Sequence, residues 1–327
     1  MSEILVSYNF EQAHRKILQE VLSGRAGIKF LSDIAEGDRA GVIEQADLII
    51  AWNPAKEFSP EELRLAGRAQ LIQLVTAGTE HLPFALLPPG AIIASNTGAF
   101  AAPMAEHILA MVLALAKRLC VNHAKLKQGE FDQKTQNRNL RGLVFGVLGF
   151  GGIGQAAAML MRGVGLRIFA INTSGRTTEK VDFIGAMDKL EYLLENSDAL
   201  LVSIPLTART KGLIGSRELA LMKPDAILIN VARGAIIDEQ SLYRHLVQNP
   251  AFSAGIDTWW VEPAMGGEFK VNYPFFDLPN FLGSPHNSPV TPGTMAHAVR
   301  IAAQNAADFL SGFKITGVVK REDYMEA

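Results

Sequence analysis

The chain has 327 residues, 31 Lys+Arg against 33 Asp+Glu (formal net charge −2), with 48% hydrophobic and 20% charged residues. That much apolar surface offsets the entropy of ordering, which excludes a disordered chain, and a near-neutral balance without a long basic block argues against general nucleic-acid binding. A single Cys makes neither an intramolecular disulfide nor a cysteine-rich zinc site, so a reducing compartment and no metal are expected.

At roughly 150 residues per domain the length suggests two domains. The first residues, Met1-Ser-Glu-Ile-Leu-Val, lack the basic start and apolar core of a secretory signal. The longest strongly apolar run, 108–116, is too short to span about 30 Å of hydrocarbon as a helix. A cytoplasmic protein is expected.

Short apolar runs alternate with helical patterns, which predicts parallel sheets with crossover helices. In the first part, strands are expected over 4–7, 48–52, 71–75 and 91–95, with helices over 11–22 and 60–66. A longer helix is expected from about 103 to 127. Pro103 suits its first turn, where the missing N–H costs nothing. Its apolar positions cover most of the circumference, which makes it a candidate subunit interface. The second part repeats the rhythm, with strands over 143–148, 167–171, 199–204, 226–231, 253–257 and 280–283. Helices are expected over 152–163, 189–195, 216–222 and 239–248, and a last one over 292–311. Met159 and Met161 read as core, and Cys120 as inert in an apolar helix.

Residues 144–154 contain G-x-G-x-x-G at Gly149, Gly151 and Gly154, after a buried-looking strand and at the start of a helix. That context is the one a dinucleotide site requires. Gly149 permits the tight turn, Gly151 lets the backbone approach a pyrophosphate, and Gly154 lets helix and strand pack closely. The backbone of Phe150, Gly152 and Ile153 then belongs to the same cradle, where a helix N-terminus offers unpaired N–H groups. A glycine-rich turn that merely packs a helix on a strand is the plainer alternative.

The next strand departs from the usual NAD pattern. Its end carries Asn172 instead of Asp or Glu, followed by Thr173, Ser174, Gly175 and Arg176. An acidic side chain would repel a 2′-phosphate, whereas Asn172 and Ser174 can donate to one and Arg176 can add a charge-assisted contact. NADP is favoured over NAD, the alternative being a solvated loop with an incidental Arg.

Three further segments carry chemistry: Asn230-Val-Ala-Arg233-Gly234, Gly255-Ile-Asp257-Thr-Trp-Trp-Val-Glu262-Pro263 and Ser284-Pro285-His286-Asn287. Together with the glycine turn, residues 201–212 and the stretch from Asn96 to Glu106, they closely resemble the D-isomer-specific 2-hydroxyacid dehydrogenases. The resemblance covers nearly the whole chain. It implies that Arg233 binds the carboxylate and carbonyl oxygen of a 2-oxo acid, and that His286 is the general acid in reduction. It also implies that Glu262 hydrogen-bonds His286, orients the ring and favours its protonated form. Backbone N–H groups of Ala77 and Gly78 match the family's carboxylate loop, and Trp52 and Asn53 could line the pocket for the substrate's side chain. Asp257 matches the residue that contacts the nicotinamide amide. Pro205 and Thr210 lie in the loop beside the adenosine and phosphates, and Val231 ends a cofactor-side strand. His81, His107, His123 and His297 have no motif around them and read as surface or core residues.

The expected fold is α/β: a Rossmann-type dinucleotide domain, 99–288, inserted into a flavodoxin-like substrate domain formed by 1–98 and 289–327, with a cleft between them. The function implied is NAD(P)-dependent interconversion of a small 2-oxo acid and a D-2-hydroxy acid, with a homodimer through the 103–127 helix. The alternative is a nucleotide-sensing corepressor on the same scaffold, since such proteins also keep the Arg, Glu and His.

Overall fold

A computed structural model describes residues 2–263 and 268–325. The chain divides into two compact units, Met1–Phe100 with Thr291–Ala327 and Ala101–Val290.

The first unit holds five parallel strands, β1 (Ser2–Val6), β2 (Ala26–Phe30), β3 (Leu48–Ala51), β4 (Leu71–Leu74) and β5 (Ile92–Ala94), in the order β2-β1-β3-β4-β5. β3 and β4 are buried along their whole length, as expected for strands covered on both faces by helices. On one face, Leu18 and Leu22 of helix Gln12–Leu22 share a core with Ala298, Ala302 and Ala306 of helix Thr294–Leu310. On the other, Ile43 of helix Arg39–Gln45 and Leu63 of helix Pro60–Leu65 join Ile49 and Ile72. Each buried Leu or Ile side chain among these contributes about 1.5–3 kcal/mol, and the alanines less. Helix Pro60–Leu65 is started by a capping box, with the amide of Glu62 donating to Ser59 Oγ and the amide of Ser59 donating to Glu62 Oε2. The strand order reverses between β1 and β3, so Ser7 and Trp52 leave the sheet on either side of that point.

The second unit holds seven parallel strands: β6 (Val144–Leu148), β7 (Arg167–Ile171), β8 (Phe183–Gly185), β9 (Ala199–Val202), β10 (Ile227–Asn230), β11 (Ser253–Ile256) and β12 (Phe281–Gly283). Their order is β12-β11-β10-β9-β6-β7-β8. The six strands β8 to β11 reproduce the 3-2-1-4-5-6 Rossmann arrangement, and β12 adds a further edge. The order reverses between β6 and β9, the crevice where open α/β sheets bind ligands.

Three expectations are corrected. The single helix over 103–127 is two helices, Ala101–Ala116 and Leu119–Lys127, broken where Arg118 adopts a left-handed φ of 51°. The break is held from outside: the amide of Arg138 donates to Ala116 O and Lys117 Nζ donates to Arg138 O. Met161 is core, but Met159 is exposed, and Cys120 is exposed as well. Gln155 and Arg162, one turn to either side, put Met159 on a polar face, and no residue of helix Leu119–Lys127 is buried. β2, β8 and helix Arg39–Gln45 had no expected counterpart. Among the described residues no helix is long and apolar enough to cross a membrane.

Candidate active site

The glycine turn leaves β6 at Gly149, whose φ is +105°. A Cβ there would lie 2.7 Å from the backbone of Ser203, at the end of β9. Ser203 Oγ donates to Gly149 O at 2.8 Å and ties the two strands together at the reversal point. This serine lies in the 201–212 stretch, though the sequence assigned it no role. A Cβ on Gly154 would stand 2.3 Å from Gly149 O and 2.8 Å from Val147 Cγ1, so helix Gly152–Gly163 packs directly on the turn. A Cβ on Gly151, by contrast, would enter open space. Two of the three glycines are therefore required by packing and the middle one is not. The space beside Gly151 lies at the positive end of a helix, the kind of position where backbone N–H groups suit an anion. Phe150, Gly152 and Ile153 complete this turn, with the amide of Phe150 donating to Ile171 O at the end of β7.

The loop after β7 uses its polar groups on itself. Asn172 Nδ2 donates to Arg176 O at 2.7 Å, while Asn172 Oδ1 accepts from Ser174 N at 3.1 Å and Ser174 Oγ at 3.2 Å. Gly175 turns the chain with φ +64°. Asn172 and Ser174 thus shape the loop, and Arg176 is its exposed cation. On the far side of the reversal point, Thr210 closes the loop after β9. Its hydroxyl donates to Pro205 O at 2.7 Å and accepts from Thr207 N at 2.8 Å.

Arg233, Glu262 and His286 lie beyond the carboxyl ends of β10, β11 and β12. Val231 is buried just beyond β10. Asn230 then folds the chain back, donating through Nδ2 to Arg233 O at 2.9 Å and accepting from Ala232 N at 3.0 Å. This turn presents Arg233. A Cβ on the next residue, Gly234, would be 2.3 Å from the backbone carbon of Trp259, so the two segments touch through main chain.

Glu262 is buried, with Oε1 accepting from Trp259 N at 2.7 Å and Oε2 bonded to His286 Nδ1 at 2.7 Å. Burial pushes its carboxyl up. The bonds from His286 and Trp259, with the charges of His286 and Arg233, outweigh that and hold it below the ordinary carboxylate value. A carboxylate only accepts, so His286 donates through Nδ1 and its Nε2 is left for chemistry. His286 also has φ 51°, a left-handed conformation that only surrounding structure can hold in a non-glycine residue. Trp259 joins both halves of the pair, since its indole Nε1 donates to Ser284 O at 2.8 Å.

Asp257 is fully buried. It accepts from Ser284 Oγ at 2.6 Å, Asn287 N at 3.2 Å and Ser288 N at 3.3 Å. His107 joins this group with Nε2 3.0 Å from Ser284 Oγ. It had been read as a surface or core residue, because no local motif links a helix histidine to a loop far along the chain.

The remaining candidates belong to the first unit. Trp52 follows β3 and stacks on Tyr8 with ring centroids 5.4 Å apart. Asn53 caps helix Pro54–Glu57, its side chain accepting from Ala55 N at 3.2 Å. Ala77 is exposed and Gly78 partly buried in the turn after β4, steadied by the amide of Asn96 donating to Thr76 O at 2.8 Å. Glu57 was missed by sequence reasoning. It accepts from Ser7 Oγ at 2.6 Å, Asn53 N at 2.5 Å and Trp52 N at 3.1 Å, while burial pushes its carboxyl above the ordinary value despite those bonds.

Residues 109–288 match the family described as D-isomer specific 2-hydroxyacid dehydrogenase, NAD binding domain. The chain belongs to that family. The second unit accordingly contains an NAD-binding domain. The chain is similar to the D-3-phosphoglycerate dehydrogenase of Methanocaldococcus jannaschii, at 28% identity over 323 residues, 98% of this chain but 59% of that protein. It thus spans little more than half the length of that relative. It is 33% identical over 233 residues to a glyoxylate/hydroxypyruvate reductase B of Pectobacterium carotovorum, covering 70% of this chain and 71% of the relative. A crystal structure from Pyrobaculum aerophilum, carrying a provisional formate dehydrogenase description, superposes with a TM-score of 0.81 at 27% identity, covering 99% of this chain and 100% of that one.

Proposed function

We propose that this dehydrogenase reduces a small 2-oxo acid of the glyoxylate and hydroxypyruvate class to the D-2-hydroxy acid, using NADPH in preference to NADH. The observation that carries the reading is the 2.7 Å His286–Glu262 pair at the same carboxyl end of the sheet as Arg233 and the glycine turn. The bound dinucleotide supplies the hydride. His286, with Nδ1 held by Glu262, gives a proton from Nε2 to the carbonyl oxygen. The nearby carboxylate stabilises the imidazolium needed for that step. Arg233 offers its planar guanidinium to the substrate's oxygens and to charge developing on the carbonyl. On the first unit, the amides of Ala77 and Gly78 are donors suited to a carboxylate, and Asn53 and Trp52 are suited to sorting the substrate's side chain. The pyrophosphate is assigned to the turn from Gly149 to Gly154, and the adenosine side to Pro205, Thr210 and the 172–176 loop.

The preference for NADPH rests on two features. No carboxylate ends β7, and Arg176 stands exposed beside it. One charge-assisted hydrogen bond is worth about 1.5–3 kcal/mol, or roughly tenfold to a hundredfold in preference. A homodimer in the cytoplasm completes the proposal, supported by the exposed Leu119 and Leu126 on helix Leu119–Lys127. Light scattering that returns a monomer mass would remove the dimer.

The test is turnover with glyoxylate, hydroxypyruvate and pyruvate, each with NADPH and NADH. Reduction of at least one acid with a higher kcat/KM for NADPH is expected, and Arg176→Ala should weaken NADPH alone. Tight dinucleotide binding without turnover of any acid contradicts the enzyme reading, and better use of NADH contradicts the loop assignment.

A further inference from the structure

Asp257 is a buried carboxylate whose three donors all come from one short strap, residues 284–288, and that strap carries His286. His107 reaches the same point from helix Ala101–Ala116, with Nε2 3.0 Å from Ser284 Oγ and 3.8 Å from Asp257 Oδ1. Proton inventory gives this chain a direction. A carboxylate only accepts, so the single hydroxyl proton of Ser284 lies toward Asp257. Ser284 Oγ then accepts from His107, whose Nε2 must carry a proton. Buried hydrogen-bonded chains of this kind polarise one another and fix geometry at both ends.

We infer that His107 is a positioning residue of the dehydrogenase: through Ser284 it anchors Asp257 and the 284–288 strap, and thereby holds His286 in its left-handed conformation. His286 at φ 51° persists only if its neighbours over-determine it. Bonds from Ser284, Asn287 and Ser288 to one carboxylate flank it on both sides, and His107 locks the end nearest the helix. The part concerning turnover rests on the proposed function, in which His286 donates the proton. The anchoring itself does not need a bound dinucleotide.

The experiment compares His107→Phe, which keeps a ring but loses the donor, with His107→Gln, which keeps a donor at similar reach. Hydrogen exchange at the amides of Asn287 and Ser288 is measured in the protein without dinucleotide, alongside kcat and KM. His107→Phe should exchange faster and lose kcat, each by roughly tenfold to a hundredfold, the scale of one hydrogen bond to a charged group. KM for the 2-oxo acid should stay within about threefold, and His107→Gln should restore both quantities. Ser284→Ala should reproduce His107→Phe. Unchanged exchange in His107→Phe, or equal behaviour of the Phe and Gln variants, overturns the inference whatever the turnover. No turnover in the unaltered protein overturns the proposed function instead and leaves the exchange data to decide this point.

Discussion

Glu262 is pulled in opposite directions, by burial that favours its neutral form and by His286, Trp259 and Arg233, which favour the carboxylate and prevail. Because its folded-state value is depressed, its stabilising contribution is present above the ordinary carboxylate range and is lost as pH falls through the lowered value. At neutral pH it is therefore a fixed negative charge against His286. In the proposed reduction, activity that depends on this charge should fall as pH falls through the lowered Glu262 value, and Glu262→Gln should remove that acid limb. Rates against pH for both proteins provide the check, and a limb that stays in place would show that Glu262 only orients the ring. Arg233, Glu262 and His286 were singled out because each sits in a segment that carries the family resemblance. The contacts of His107 and Ser203 were not legible, since their partners are brought near only by the sheet. The use of Asn172 to close its own loop was equally hidden, because it depends on how the chain turns after β7.

At the scale of elements, the glycine turn separates packing from binding. Gly154→Ala puts a Cβ into the main chain of Gly149, and overpacking of this kind costs about 1–3 kcal/mol. Gly151→Ala meets nothing. Gly154→Ala should lower both Tm and dinucleotide affinity, while Gly151→Ala should keep Tm and lose affinity by roughly tenfold or more. Equal Tm losses in a melting experiment, or full affinity in Gly151→Ala, would remove the pyrophosphate from this turn. The buried strands were legible from their apolar runs. β2, starting Ala-Gly, and the three-residue β8 are edge strands with weak local signals. The break at Arg118 was invisible because apolar residues continue across it, and the carbonyl it frees at Ala116 is satisfied by Arg138, distant in sequence.

Across the whole molecule, both units repeat one plan, a parallel sheet whose strand order reverses once. Alternating apolar and helical segments announce that plan, but the order of strands does not follow from periodicity. It came from the resemblance in the four motif segments. The central claim is that Arg233, Glu262 and His286 reduce a 2-oxo acid on the Rossmann unit. The most direct measurement is the reduction of hydroxypyruvate with NADPH by the unaltered protein and by His286→Ala, with the product's configuration determined. The account predicts D-glycerate from the unaltered protein. It also predicts a rate lower by about 10²–10⁴-fold in the variant, the scale of general acid catalysis, with dinucleotide affinity nearly unchanged. An L product, or a variant that turns over at the normal rate, would contradict it.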